Sequence, residues 1–183
     1  FKIEHKIKTI DYYYDNIFYN KAIVDRIKEA LKDDRAEDFE LVFSAHGLTQ
    51  RVIDKGDLYQ KHILANVEFV KEELKKQNIN IRGIVQMSPY FKKIDLAYQS
   101  RVGPMKWLQP YMEDKIKELG KKVIVYPISF TVDNSETLGE LVLEYGELAK
   151  EHGIKDYRVA KAPNSNYNFI LALKSIYEDL KLK

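Results

Sequence analysis

Apolar residues along this chain alternate between two spacings. Residues 16–32 carry Ile17, Phe18, Ala22, Ile23, Ile27 and Leu31 at helical intervals. The next apolar run, 39–45, is short and continuous, as in a strand buried on both faces. The same exchange repeats down the chain. Residues 57–77 read as a helix with Leu58, Ile63, Val67, Val70 and Leu74 on one side, 94–99 as a strand, and 108–119 as a helix closed by Gly120. Residues 123–130 form a strongly apolar strand interrupted by Pro127, and 136–151 a helix ended by Gly153. A last strand spans 157–162 and a last helix 167–182. At the start, 6–14 is rich in Ile and Tyr and predicts a first strand. Residues 78–93 fit least well, as an extra short strand or a loop. Five strands interleaved with about five helices predict an α/β domain, a doubly wound, mostly parallel sheet flanked by helices.

Where such a sheet ends, its loops carry the ligand crevice, at the carboxyl ends of the strands. His46 follows the run Leu41-Val42-Phe43 and would project there. Neutral imidazole binds divalent metals and accepts protons near neutral pH. Its neighbours Ser44 and Gly47 are small enough to let a substrate approach. Taken alone, Ala-His-Gly after a strand is more often a structural turn.

A second candidate is the acidic set Asp133, Glu136, Glu140 and Glu144. The three glutamates recur every four residues and so share one helix face. Asp133 and Glu136 have the spacing of an acidic N-cap and its N3 carboxylate. The plain reading is a capped helix with a solvated acidic face. The functional reading is a line of hard oxygen ligands for a hydrated divalent cation, with Glu136 at its inner end. Trp107, the only tryptophan, follows the turn signal Val102-Gly103-Pro104 and either fills core or floors a pocket for a flat ligand.

Composition narrows the field. With 183 residues, 45% hydrophobic and 32% charged, the chain suits one globular domain. A net charge of +2, with both signs interleaved, argues against a nucleic-acid partner. The absence of cysteine excludes disulfides, thiolate zinc sites and cysteine-held iron–sulfur clusters. No apolar stretch approaches the about 18 residues of a membrane span. Gly-x-Gly-x-x-Gly and Walker A patterns are both missing, which weakens a nucleotide-binding reading.

Three ordered segments carry a resemblance. They are Phe43-Ser44-Ala45-His46-Gly47-Leu48 with Gly56-Asp57-Leu58-Tyr59; Gln99-Ser100-Arg101-Val102-Gly103-Pro104 with Trp107; and Pro127-Ile128-Ser129-Phe130 with Asp133 and Glu136-Thr137-Leu138. With them the chain resembles the C-terminal domain of a bacterial-type ferrochelatase over almost its whole length. The resemblance implies a Rossmann-like half of a class II chelatase fold, with a similar N-terminal half absent from these 183 residues. It implies insertion of Fe2+ into a porphyrin, protoporphyrin IX before coproporphyrin, forming haem and releasing two protons. His46 and Glu136 become the facing catalytic and metal-site pair. Asp133, Glu140 and Glu144 become an accessory acidic line able to hold a divalent cation, while Trp107 and Ser44 contact porphyrin. Ferrous iron and porphyrin are then substrates, with no resident cofactor and no iron–sulfur cluster. Where many members carry a histidine, this chain has Asn134. The expected setting is cytoplasmic, with peripheral contact to the inner face of the membrane, and the domain alone is expected to be inactive. The alternatives are a cobalt chelatase of cobalamin synthesis and a non-catalytic porphyrin- or metal-binding domain.

Overall fold

The computed structural model describes residues 7–76 and 91–182. Among them, four strands form one sheet, β1 (Glu40–His46), β2 (Lys93–Gln99), β3 (Lys122–Pro127) and β4 (Asp156–Val159), in the order β2-β1-β3-β4. Every pairing is parallel. Helices α1 (Ile17–Leu31), α2 (Gln50–Asp54), α3 (Tyr59–Lys76), α4 (Met112–Glu118), α5 (Tyr145–Glu151) and α6 (Tyr167–Leu182) surround it, and a π-helical segment, Glu136–Glu144, leads into α5.

The alternation within β1 accounts for the two layers of helices. Leu41, Phe43 and Ala45 join one buried cluster with Ile23 and Ile27 of α1, Val67 and Val70 of α3, and Phe169 of α6. Val42 points the other way, into a cluster with Met112 and Ile116 of α4, Leu141, and Tyr145 and Ala149 of α5. A strand apolar on both faces must be covered on both, which is the doubly wound arrangement. In this strand order the chain reverses direction across the sheet between β1 and β3, and a crevice opens beyond their carboxyl ends.

The strand expected over 6–14 is not there: residues 7–14 pair with no strand. At its end the Tyr14 carbonyl is taken by side chains instead of a neighbouring strand, accepting from Asn20 Nδ2 and Asn66 Nδ2 at 3.0 Å each. Tyr12 and Tyr14 stack on each other and close around His62 on α3, while Tyr13 packs edge-on against Tyr19. The ambiguous stretch 78–93 lies mostly outside the described residues; only its end enters β2. Pro127 ends β3 rather than interrupting it, since a residue without an N–H serves best where ladder bonding stops. Helix α4 stops at Leu119 in extended conformation, so Gly120 is not its left-handed cap.

Candidate functional site

His46 is the last residue of β1, and both sides of its backbone are held. Its N–H donates to Ser129 Oγ at 2.8 Å, and its carbonyl accepts from the Tyr59 hydroxyl at 2.7 Å. Burial pushes the Tyr59 pKa up to about 12, which keeps that hydroxyl protonated as a donor. Gly47 follows because the chain passes very close to β2 here. Its N–H donates to the Gln99 carbonyl at 2.9 Å, and a Cβ would lie 2.7 Å from that oxygen and 3.5 Å from Trp107 Cε3. Gly47→Ala is therefore expected to cost about 1–3 kcal/mol in urea unfolding, because a main-chain oxygen cannot swing aside as a side chain can.

Glu136 arrives from the other side of the reversal point. Beyond β3, Asn134 Oδ1 accepts from the N–H groups of Glu136 at 2.8 Å and Thr137 at 3.2 Å, starting the π-helical segment. Glu136 is its first residue, and its Oε2 lies 2.9 Å from His46 Nδ1. The side chains are 39% and 45% exposed, so both face solvent while touching each other. Phe130 meets the imidazole edge-on. With the Nδ1 proton committed to the carboxylate, Nε2 is the acceptor nitrogen, and it has no partner among the described residues.

The remaining candidates do not share one role. Asp133 is fully engaged: Oδ1 accepts from the Ala162 N–H at 2.9 Å and Oδ2 from Asn164 Nδ2 at 2.7 Å. Asn134, not Asp133, therefore makes the N-cap bonds. Glu140 is clasped to the end of β2 by Ser100 and Gln99 and bonded by Tyr145. Glu144 is exposed. The four carboxylates thus do not form the open line their spacing suggested, and among the described residues no three or more His, Asp or Glu side chains converge as a metal cage. Ser44 is fully buried and donates to Gln99 Oε1 at 2.8 Å. It supports the strand ends from beneath and is not available to a bound porphyrin. Trp107 is half-buried, its Nε1 donating to the Val102 carbonyl at 3.1 Å, with its ring beside Gly47.

The loops at this end of the sheet and the first turn of the π-helical segment expose Val102, Met105, Val132 and Leu138, each more than half accessible. An open apolar margin around a polar pair suits a large, flat, apolar ligand. Two cavities, of about 330 Å³ along residues 9–16 and α6 and of about 360 Å³ beside β4, contain neither His46 nor Glu136. They play no part in the geometry of the pair.

Residues 2–180 match the ferrochelatase family. The chain belongs to that family. It is 50% identical over 169 residues to the ferrochelatase of Wolinella succinogenes, covering 92% of this chain and 50% of that protein. It is 43% identical over 173 residues to the ferrochelatase of Sulfurimonas denitrificans, covering 94% of this chain and 52% of that one. The ferrochelatase of Campylobacter jejuni subsp. jejuni strain 81-176 is 43% identical over 183 residues, all of this chain and 53% of its own length. The chain thus spans about half the length of the curated ferrochelatases it matches. Several residues around the pair were not singled out by type or spacing: the hydroxyls of Ser129 and Tyr59, the Asn134 cap and the Gln99-Ser100 clasp. Ser129, Tyr59, Gln99 and Ser100 all lie inside the segments that carry the resemblance, which is the one sequence signal they have, and Asn134 stands out only as a departure from it. Among the described residues, no helix is long and apolar enough to cross a membrane.

Proposed function

We propose that this chain is the half of a ferrochelatase that carries the proton-accepting pair, and that the full-length protein inserts Fe2+ into a porphyrin. The observation that carries the reading is the 2.9 Å contact between His46 Nδ1 and Glu136 Oε2, half-exposed at the reversal point of the sheet. Metallation requires two pyrrole N–H bonds to break, two protons to leave, and Fe2+ to exchange water for ring nitrogens. A rigid acceptor beside the ring lowers the barrier for the proton steps. The held backbone of His46 fixes where Nε2 points, and the Glu136 carboxylate sets its tautomer and stabilises the imidazolium formed when Nε2 takes a proton. The pair then passes that proton to solvent along its exposed side and accepts the second.

The exposed Val102, Met105, Val132 and Leu138 supply apolar contact for a porphyrin, with Trp107 behind Gly47. The site is open on one side. A second half of the protein, of about the length by which the relatives exceed this chain, closes the cleft and bends the ring. Bending turns the nitrogen lone pairs toward the metal and supplies strain relieved in the transition state. The cytoplasm, with or without contact to a membrane surface, is the proposed setting. The test is spectrophotometric: full-length protein converts the absorption of protoporphyrin to that of its iron complex when ferrous iron is added. No conversion with protoporphyrin or coproporphyrin by a folded full-length protein contradicts the reading.

A further inference from the structure

Glu140 is the fifth of the nine residues of the π-helical segment, and its carboxylate is filled by donors. The Ser100 N–H donates to Oε1 at 2.6 Å and the Tyr145 hydroxyl donates to the same oxygen at 2.8 Å. Gln99 Nε2 donates to Oε2 at 2.9 Å, and the Ser100 hydroxyl donates there as well. Gln99 is itself buried and oriented, because the Ser44 hydroxyl holds its Oε1. Ser100 sits at φ 64°, a left-handed conformation that a serine keeps only where its surroundings compensate. That conformation presents both its N–H and its hydroxyl to one carboxylate.

The segment so held is unusual. Helices bonded i→i+5 generally last a single turn within an α-helix. Here the pattern persists from Glu136 to Glu144, so something outside the segment opposes its relaxation to i→i+4 bonding. Downstream, Tyr145 and Ala149 anchor α5 in the core. Relaxation would therefore tighten the segment and turn its first residues, which carry Glu136. A clasp at the centre, tied to β2, opposes that rotation. A carboxylate passing metal ions onward needs an open oxygen, whereas both Glu140 oxygens already accept.

We propose that Glu140 is a positioning residue: clasped to the end of β2 by Ser100 and Gln99, it holds the π-helical turn in the register that carries Glu136 onto His46. The proposal rests on the ferrochelatase reading for the importance of the pair, but its geometry is tested separately. In full-length protein labelled with 15N-histidine, the Nδ1 and Nε2 shifts of His46, read through its carbon-bound ring protons, report the Nδ1–H tautomer held by Glu136 and are assigned by their change in Glu136→Gln. Glu140→Ala is expected to move those shifts in a folded protein as Glu136→Gln moves them. It is also expected to lower kcat for iron insertion by about tenfold or more, with KM for ferrous iron unchanged. Unchanged His46 shifts in folded Glu140→Ala, or a raised KM for iron at unchanged kcat, overturn the proposal and make Glu140 a metal-handling group. Should Glu140→Ala not fold, Glu140→Gln applies the same test, keeping the side-chain volume but setting an amide against the donors of Ser100 and Gln99. A full-length protein that inserts no metal defeats the ferrochelatase reading, while the His46 shifts still decide the positioning role.

Discussion

Replacing His46 by alanine in the full-length protein is expected to slow iron insertion by about 10²–10⁴-fold while leaving the fold intact. The side chain is 39% exposed and belongs to neither buried cluster, so its removal opens no cavity. The contacts that hold residue 46 are made by its backbone, with Ser129 and Tyr59, and alanine keeps both. What alanine removes is Nε2, the proposed proton acceptor, together with the Nδ1 partner of Glu136. The loss should fall on kcat, since the proposed apolar contacts with the porphyrin come from other residues. Steady-state rates beside a thermal melt check this. A wild-type rate would make the Ala-His-Gly turn structural after all.

The largest effect on stability is expected at Phe43. It lies at the centre of β1, fully buried, opposite Leu96 on one side and Tyr126 on the other, with the Tyr126 ring edge-on to it at 6.2 Å between centroids. Phe43→Ala removes its packing against the α1 and α3 side of the sheet and leaves a cavity that close-packed neighbours fill only partly. The expected cost is about 3–5 kcal/mol, read from urea unfolding. At this chain length each kcal/mol lowers the melting temperature by roughly 2–4 °C. Phe43→Leu, which keeps most of the volume, should cost much less. A loss below about 1 kcal/mol for the alanine variant would mean that the two helical layers do not depend on this strand.

Much of the fold was legible because hydrophobic burial sets the pattern directly. Continuous apolar runs marked β1 and β3, and helical spacing marked α1 and α3, since each face of a covered sheet needs its own partners. The tyrosine-rich start failed for the complementary reason. Tyr12, Tyr13 and Tyr14 have the composition of a strand, but their rings pack on His62 and Tyr19, and Asn20 and Asn66 capture the Tyr14 carbonyl. A side chain that competes for a carbonyl leaves no trace in apolar periodicity.

The candidate site divides in the same way. His46 and Glu136 were legible as the end of a buried run and the start of a helix, and the structure brings their side chains together. The acidic spacing was legible too, but spacing shows only a shared face. It could not show that Asp133 turns to Asn164 and the Ala162 N–H, or that Glu140 is closed by Ser100. Those contacts are long-range and depend on loop conformation, including the left-handed Ser100. Likewise, Ser44 is small and adjacent to the histidine in sequence, yet strand alternation sends its hydroxyl into the interior. The π-helical register had no sequence signal at all.

In the proposed function, His46 and Glu136 act as one unit in porphyrin metallation. A double-mutant cycle in the full-length protein, with iron insertion measured for His46→Ala, Glu136→Gln and the combined variant, tests it most directly. If the pair acts together, the combined variant is no slower than the slower single variant, because losing either partner already disables the other. If the two losses multiply, or if either single variant inserts iron at the wild-type rate, the residues do not act as a pair and the account is wrong.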